Sequence, residues 1–192
     1  GRRLLAADLR NAAARGLVGL CLLEAGDVAG AGPLIEEAVD DAPEDWRLLL
    51  NLSALREVQG DMDAALAAAE QAHVADPSRF EPWGRLGDLL ARRGEFAGAV
   101  AALERALAIQ PDHPGMALLL AGAAYSAGQF DVSARALAVI ARAAPSHPQV
   151  LQLRTHLARR GGDGAAFAAA AEQWLSADPA SVPARVALAH AC

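Results

Sequence analysis

Apolar positions recur along the chain at helical spacing, in blocks of constant length. Trp83, Leu86, Gly87 and Leu90 stand at i, i+3, i+4 and i+7, and the rhythm resumes after Gly94 with Ala99, Leu103, Ala106 and Leu107. Each block predicts a helix with one apolar face, and two successive blocks predict a helical hairpin. The hairpin itself repeats. Gly26, Gly60, Gly94, Gly128 and Gly162 are spaced by 34 residues, and Pro43, Pro77, Pro111, Pro145 and Pro179 each follow a glycine by 17. Two interlocked columns therefore cut the chain into half-repeats of equal length.

The punctuation has a physical cause. Glycine accepts the left-handed backbone that closes a first helix, and the next residue (Asp27, Asp61, Glu95, Gln129 or Asp163) carries an acceptor for the free amides that open the second. Proline lacks a donor and pushes the preceding residue out of the helical region, so the second helix must stop and the chain must turn. Small residues at Gly19, Ser53, Gly87 and Ala121 in the first helices, and at Ala31, Ala65 and Ala99 in the second, predict close helix contacts.

The segment Trp83-x2-Leu86-Gly87-x2-Leu90, continued by Gly94, Phe96, Ala99, Leu103, Ala106 and Pro111, resembles a tetratricopeptide repeat. Repeats of this kind read as 12–45, 46–79, 80–113, 114–147 and 148–181, within one solenoid domain spanning 1–192. Residues 182–192 resemble the first helix of a further, truncated repeat. The fourth and fifth repeats depart from the pattern: Ser133 and Phe167 occupy the small-residue column, and Arg154 and Thr155 stand where Leu86 and Gly87 stand in the third. The resemblance implies an all-α fold, a right-handed α-solenoid of antiparallel helix pairs. It also implies that the first helices line a concave groove for peptides or protein segments.

Composition agrees with helices and excludes several chemistries. The chain has 49 Ala, 28 Leu and only 8 aromatic residues, so helix formers dominate and strand formers are scarce. It has 17 Arg and no Lys, which removes Schiff-base, lysine general-base and P-loop chemistry. The net charge of -6 argues against nucleic acid as a partner. Charge is nevertheless uneven: residues 1–79 sum to -7 and residues 80–192 to +1, and no acid lies between Asp131 and Asp163, where Arg135, Arg142, Arg154, Arg159 and Arg160 fall. Such a region attracts an acidic partner. No run of about 18 apolar residues predicts a membrane span, and no secretory signal is evident, so a cytoplasmic setting is expected. Cys21 and Cys192 make no disulfide framework; Cys21, inside an apolar helix, is expected to be a buried structural thiol.

If Trp83, Leu86, Gly87 and Leu90 pack inward, Glu81, Gly84, Arg85, Asp88, Ala91 and Arg92 fall on the opposite face and are expected to line the groove. The same columns supply Arg47, Leu50, Asn51, Ala54 and Glu57 in the second repeat. They supply Gly115, Leu118, Leu119, Gly122, Tyr125 and Ser126 in the fourth, and Gln149, Gln152, Leu153, His156, Arg159 and Arg160 in the fifth. The resulting ligand-binding set is Arg85, Asp88, Arg92, Leu118, Tyr125, Gln152, His156, Arg159 and Arg160. It is mixed apolar and cationic, and suits a protein or peptide segment bearing acidic groups.

Two subfamilies that the resemblance brings into view fit poorly. Chaperone-binding members grip a terminal carboxylate with Lys, Asn and Arg, but the matching columns here hold Leu50, Ala54, Arg85, Gly115 and Leu119, of which only Arg85 fits. Glycosyltransferase-type superhelices carry an asparagine ladder, whereas this column reads Leu17, Asn51, Arg85, Leu119 and Leu153. His156 and His190 share a column without a third ligand, so no metal is expected. Arg159-Arg160-Gly161-Gly162 follows a helix rather than a strand, so no nucleotide loop is expected either. No nucleophile or paired-carboxylate arrangement stands out and no cofactor is implied. The sequence thus reads as a non-catalytic scaffold. A recognition segment of a larger bacterial enzyme, of sulfotransferase, glycosyltransferase or oxygenase type, is the alternative, and self-association through 182–192 is a further expectation.

Overall fold

A computed structural model describes residues 11–191, without the side chains of residues 142 and 143. Among the described residues it contains eleven helices and no strand: α1 (Ala12–Glu24), α2 (Val28–Asp41), α3 (Trp46–Val58), α4 (Met62–Ala75), α5 (Phe80–Arg92), α6 (Phe96–Ile109), α7 (Pro114–Ser126), α8 (Phe130–Ala143), α9 (Pro148–Gly161), α10 (Gly164–Ala177) and α11 (Val182–Ala191). First helices thus begin at residues 12, 46, 80, 114, 148 and 182. The chain divides into two compact units, residues 1–109 and 110–192.

Both turns of each hairpin work as the glycine and proline columns imply. All five column glycines have positive φ, between +72° and +85°. After the first four, the amides of Asp27, Asp61, Glu95 and Gln129 donate to the carbonyl five residues back at 2.8–2.9 Å, closing the helix end. Asp27, Asp61 and Asp163 then accept from Gly30 N, Ala64 N and Ala166 N at 2.9, 3.0 and 3.0 Å. Gln129 makes no such bond, and Glu95 pairs instead with Arg93 Nε at 2.6 Å. At the other turn, Ala42, Asp76, Ala144 and Asp178, each preceding a column proline, have φ between -135° and -144° and positive ψ. That is the conformation proline imposes on its predecessor. His113, one of two histidines beside this turn, caps α7 by accepting from Met116 N at its Nδ1, 3.2 Å away.

In the first unit α1–α2, α3–α4 and α5–α6 form hairpins, and α3 and α5 also pack on the second helix of the preceding hairpin. Ile35 and Leu55, both fully buried, centre one cluster with Leu23 and Ala31. Leu66, Leu86, Leu89, Ala69 and Ala102 form the next, with Trp83 half-buried at its edge and stacked 3.8 Å from the His73 ring. In the second unit α7–α8 and α9–α10 pair, and α11 packs on α10, where Leu151, Trp174 and Ala184 form a cluster. The two irregular repeats keep their helices because their polar intruders are satisfied. Ser133 Oγ donates to Ala121 O at 2.7 Å and Thr155 Oγ1 to Leu151 O at 2.8 Å, both fully buried.

Two expectations are corrected. Cys21 is exposed and free, not buried. The inward face of α1 is Gly16, Gly19 and Leu23, and Cys21 lies roughly opposite Gly19 on the side that also leaves Leu17 62% exposed. Gly84 does not line an open face: it is buried, because α5 packs on α4, α6 and also α3.

Candidate functional site

The residues expected on the first-helix face meet very different surroundings in the two units. In the first unit, Arg85, Asp88 and Arg92 project from one side of α5 toward the end of α3. Arg85 Nη2 lies 2.8 Å from Glu57 Oε2, an ion pair without hydrogen-bond alignment, while Arg85 Nε donates to Ser53 Oγ at 2.9 Å. Arg92 Nη1 lies 2.6 Å from the other Glu57 oxygen, and Arg92 Nε 3.1 Å from Asp88 Oδ2, one helical turn away. Two arginines and two carboxylates therefore neutralise one another across a helix contact. The Asp88 hydrogen bond and charge, with Glu57 adding to them, hold the Arg92 guanidinium above its ordinary range. Asn51 is likewise engaged, its Nδ2 donating to Gly16 O at 3.1 Å. This face is held together by its polar groups and has few of them left to offer.

The second unit is the reverse. Tyr125 from the last turn of α7 and His156, Arg159 and Arg160 from the last two turns of α9 converge on one cleft of about 530 Å³. Four of the residues selected from the sequence thus share a single site, and among the described residues neither Arg159 nor Arg160 pairs with a carboxylate. Both lie outside the acid-rich part of the chain, so few carboxylates are at hand to neutralise them. Leu118 and Gln152 are half-buried on the same two helices and do not line the cleft.

Aromatic rings stiffen this site. Phe130 meets Tyr125 edge-on at 5.5 Å, Tyr125 lies 5.8 Å from His156, and His156 meets the Trp174 ring edge-on at 6.5 Å. The Arg160 guanidinium sits over Phe130 at 4.9 Å, a cation–π contact that orients the group without discharging it. Burial, and secondarily the Arg159 charge, push the His156 imidazole below its ordinary range, so near neutral pH it is uncharged. With two forked cations, a phenol and a neutral imidazole on an aromatic wall, the cleft is equipped to hold a planar or tetrahedral anion. Among the described residues no group of three His, Cys, Asp or Glu is placed to hold a metal ion.

Two parts of the cluster and one counter-ion are not evident from the sequence. Phe130 stands 34 residues after Phe96 and five after Tyr125 across the Gly128 turn, a spacing that marks it in retrospect. Trp174 packs in the core, 5% exposed, while also presenting its ring to His156. Glu57 falls on the expected groove face, but nothing in the sequence marks it as the shared partner of Arg85 and Arg92, 28 and 35 residues away.

Sequence comparison with curated proteins gives no match. Among solved structures, PilF of Pseudomonas aeruginosa superposes with a TM-score of 0.84 at 19% identity, over 98% of this chain and 86% of that one. PilW, described as a widely conserved type IV pilus biogenesis factor, gives 0.79 at 18% identity over 94% and 85%. YrrB, described as a repeat protein with an unusual peptide-binding site, gives 0.81 at 13% identity over 97% and 96%. At such identities these likenesses speak for the fold. Family models of the tetratricopeptide repeat match residues 2–45, 33–82 and 90–157, most of the chain. With the glycine and proline turns and the stacked hairpins already described, these matches establish that the chain belongs to the tetratricopeptide repeat family.

Proposed function

We propose that this protein is a non-catalytic scaffold that holds a protein or peptide segment with acidic groups on the first-helix face of its second unit. The observation that carries this reading is the convergence of Tyr125, His156, Arg159 and Arg160 on one cleft, with neither guanidinium paired to a carboxylate among the described residues. Membership in a family of protein-interaction scaffolds supports the general role, and YrrB, of the same fold, has a peptide-binding site of its own. In the first unit Glu57 is locked to Arg85 and Arg92, and Asp88 to Arg92, so this cluster stiffens the scaffold and itself adds little net charge to recognition.

The experiment is selection from a random displayed-peptide library, followed by affinity measurement with the Arg159→Glu/Arg160→Glu variant. Enriched peptides carry Asp or Glu, and charge reversal lowers their affinity at least tenfold. Enrichment of basic or uncharged peptides, or unchanged affinity in the variant, removes the cleft from the binding surface. Val182 and Val186, 62% and 49% exposed on α11, support association with a second copy, which light scattering at two protein concentrations tests.

A further inference from the structure

Two departures from the repeat columns play no part in the first-helix cleft. The first-helix column with Leu52, Leu86 and Leu120 carries Arg154 in the fifth repeat, and the second-helix column with Glu36, Glu70, Glu104 and Glu172 carries Ala138 in the fourth. The leucines are buried or half-buried, whereas Arg154 is exposed. In the first unit a glutamate of that column does bind a cation, Arg56 Nη2 lying 2.9 Å from Glu36 Oε1. In the second unit, a cation has entered where a core leucine belongs, and a carboxylate has left the facing helix. Among the described residues Arg154 has no carboxylate partner.

Arg154 and Ala138 line one cleft of about 420 Å³ between α8, α9 and α10, with Leu137, Leu157, Ala166 and Ala170. Every lining residue except Arg154 is apolar. The volume lies within the range of small-molecule sites, which combine apolar walls with a few polar groups that fix orientation. The cleft exists because the side chains are short: Ala134 at its edge occupies the column that holds Leu66 and Val100 in the first unit, both buried there. Arg154 also borders a neighbouring cleft with Ser146, Gln173 and Ser176, so its guanidinium stands where an apolar surface meets a polar one.

The chemistry of an occupant follows. Its bulk must be apolar, since among the described residues lining this wall only Arg154 can satisfy a polar group, and its single polar group must be anionic. An extended peptide would set several backbone N–H and C=O groups against alanine and leucine with nothing to receive them. An alkyl chain brings none. We propose that the α8–α9–α10 cleft is a binding site for a medium-chain alkyl carboxylate, with the chain against Leu137 and Leu157 and the carboxylate on the Arg154 fork. The site is separate from the peptide cleft of Tyr125 and His156 and stands whether or not that reading holds.

Two variants test it without threatening the fold, because each installs the residue that the same column carries in other repeats: Arg154→Leu and Ala138→Glu. The full chain is titrated with decanoate below its micelle concentration, by calorimetry and by methyl chemical shifts, and separately with decyltrimethylammonium. One-site saturable binding of decanoate is expected, with shifts at Leu137, Leu157 and the lining alanines and no comparable binding of the cation. Arg154→Leu removes the fork and Ala138→Glu supplies an internal carboxylate, so each weakens decanoate at least tenfold, while Arg159→Ala/Arg160→Ala leaves it unchanged. Lack of saturation, equal affinity for the cationic amphiphile, full affinity in both Arg154→Leu and Ala138→Glu, or loss only in the Arg159/Arg160 variant overturns the proposal. Circular dichroism verifies that each variant remains folded, and either one alone suffices if the other does not.

Discussion

The sharpest stability prediction contrasts two glycines inside first helices. Gly87 of α5 faces α6, where an added Cβ would stand 2.5 Å from Leu103 Cγ and 2.9 Å from its Cδ2. Leu103 is fully buried and cannot swing into solvent to make room. Gly122 of α7 is half-buried, and an added Cβ there meets nothing within 4 Å. Replacing a helical glycine by alanine gains about 1 kcal/mol in helix propensity wherever space permits. Overpacking a rigid contact costs roughly 1–3 kcal/mol. Gly122→Ala therefore stabilises by about 0.5–1 kcal/mol, whereas at Gly87 the two effects oppose and the clash wins, leaving a net loss of about 1 kcal/mol. Urea unfolding followed by far-UV circular dichroism reads both. Hydrogen exchange in α5 and α6 localises the second, because solenoids lose stability repeat by repeat. The decisive arm adds Leu103→Ala: with the leucine gone, Gly87→Ala becomes stabilising, giving a coupling of about 2 kcal/mol between the two sites. A Gly87→Ala variant more stable than the parent in the original background would refute the close helix contact.

Other perturbations follow from the same structure. Gly60, at φ +83°, loses about 1–2 kcal/mol on substitution by alanine, measured as a lower urea midpoint with unchanged slope. A double-mutant cycle of Arg85→Ala and Glu57→Ala yields a coupling of about 1–2 kcal/mol, between exposed and buried ion pairs because both side chains are 18% exposed, and it persists in moderate salt. His156, titrated by NMR, protonates below the ordinary imidazole range, and Arg159→Ala raises its pKa only part of the way because burial is the larger cause. Since the unfolded chain binds that proton more readily, stability falls as pH drops through the ordinary histidine range and levels off below the folded-state pKa. A His156→Gln variant loses this part of the acid sensitivity.

Much of the architecture is legible in one dimension because solenoid turns are local. A glycine that reaches positive φ and a proline that bars its predecessor from the helix act on their immediate neighbours, so Gly26 to Gly162 and Pro43 to Pro179 mark the turns wherever they stand. The apolar period then assigns most inward faces. Where a first helix touches three neighbours, one period is not enough, and Gly84 is buried although the period puts it on the open face. Cys21 departs from expectation for a related reason: apolar surroundings in sequence do not say which side of an apolar helix is covered.

The sequence by itself determined the repeat length, the positions of the turns, the absence of lysine chemistry and the uneven spread of charge. Only the tertiary structure decided which charges remain available. Arg92 and Arg160 share a repeat column, yet Glu57 and Asp88 neutralise Arg92, as Glu57 does Arg85, while nothing among the described residues neutralises Arg160 or Arg159. It also decided that Arg154 and Ala138, 16 residues apart, share one apolar cleft. The reason is physical: backbone turns and helix periods depend on residues close in the chain, whereas the availability of a charge depends on which side chains meet it across helices, about one repeat away.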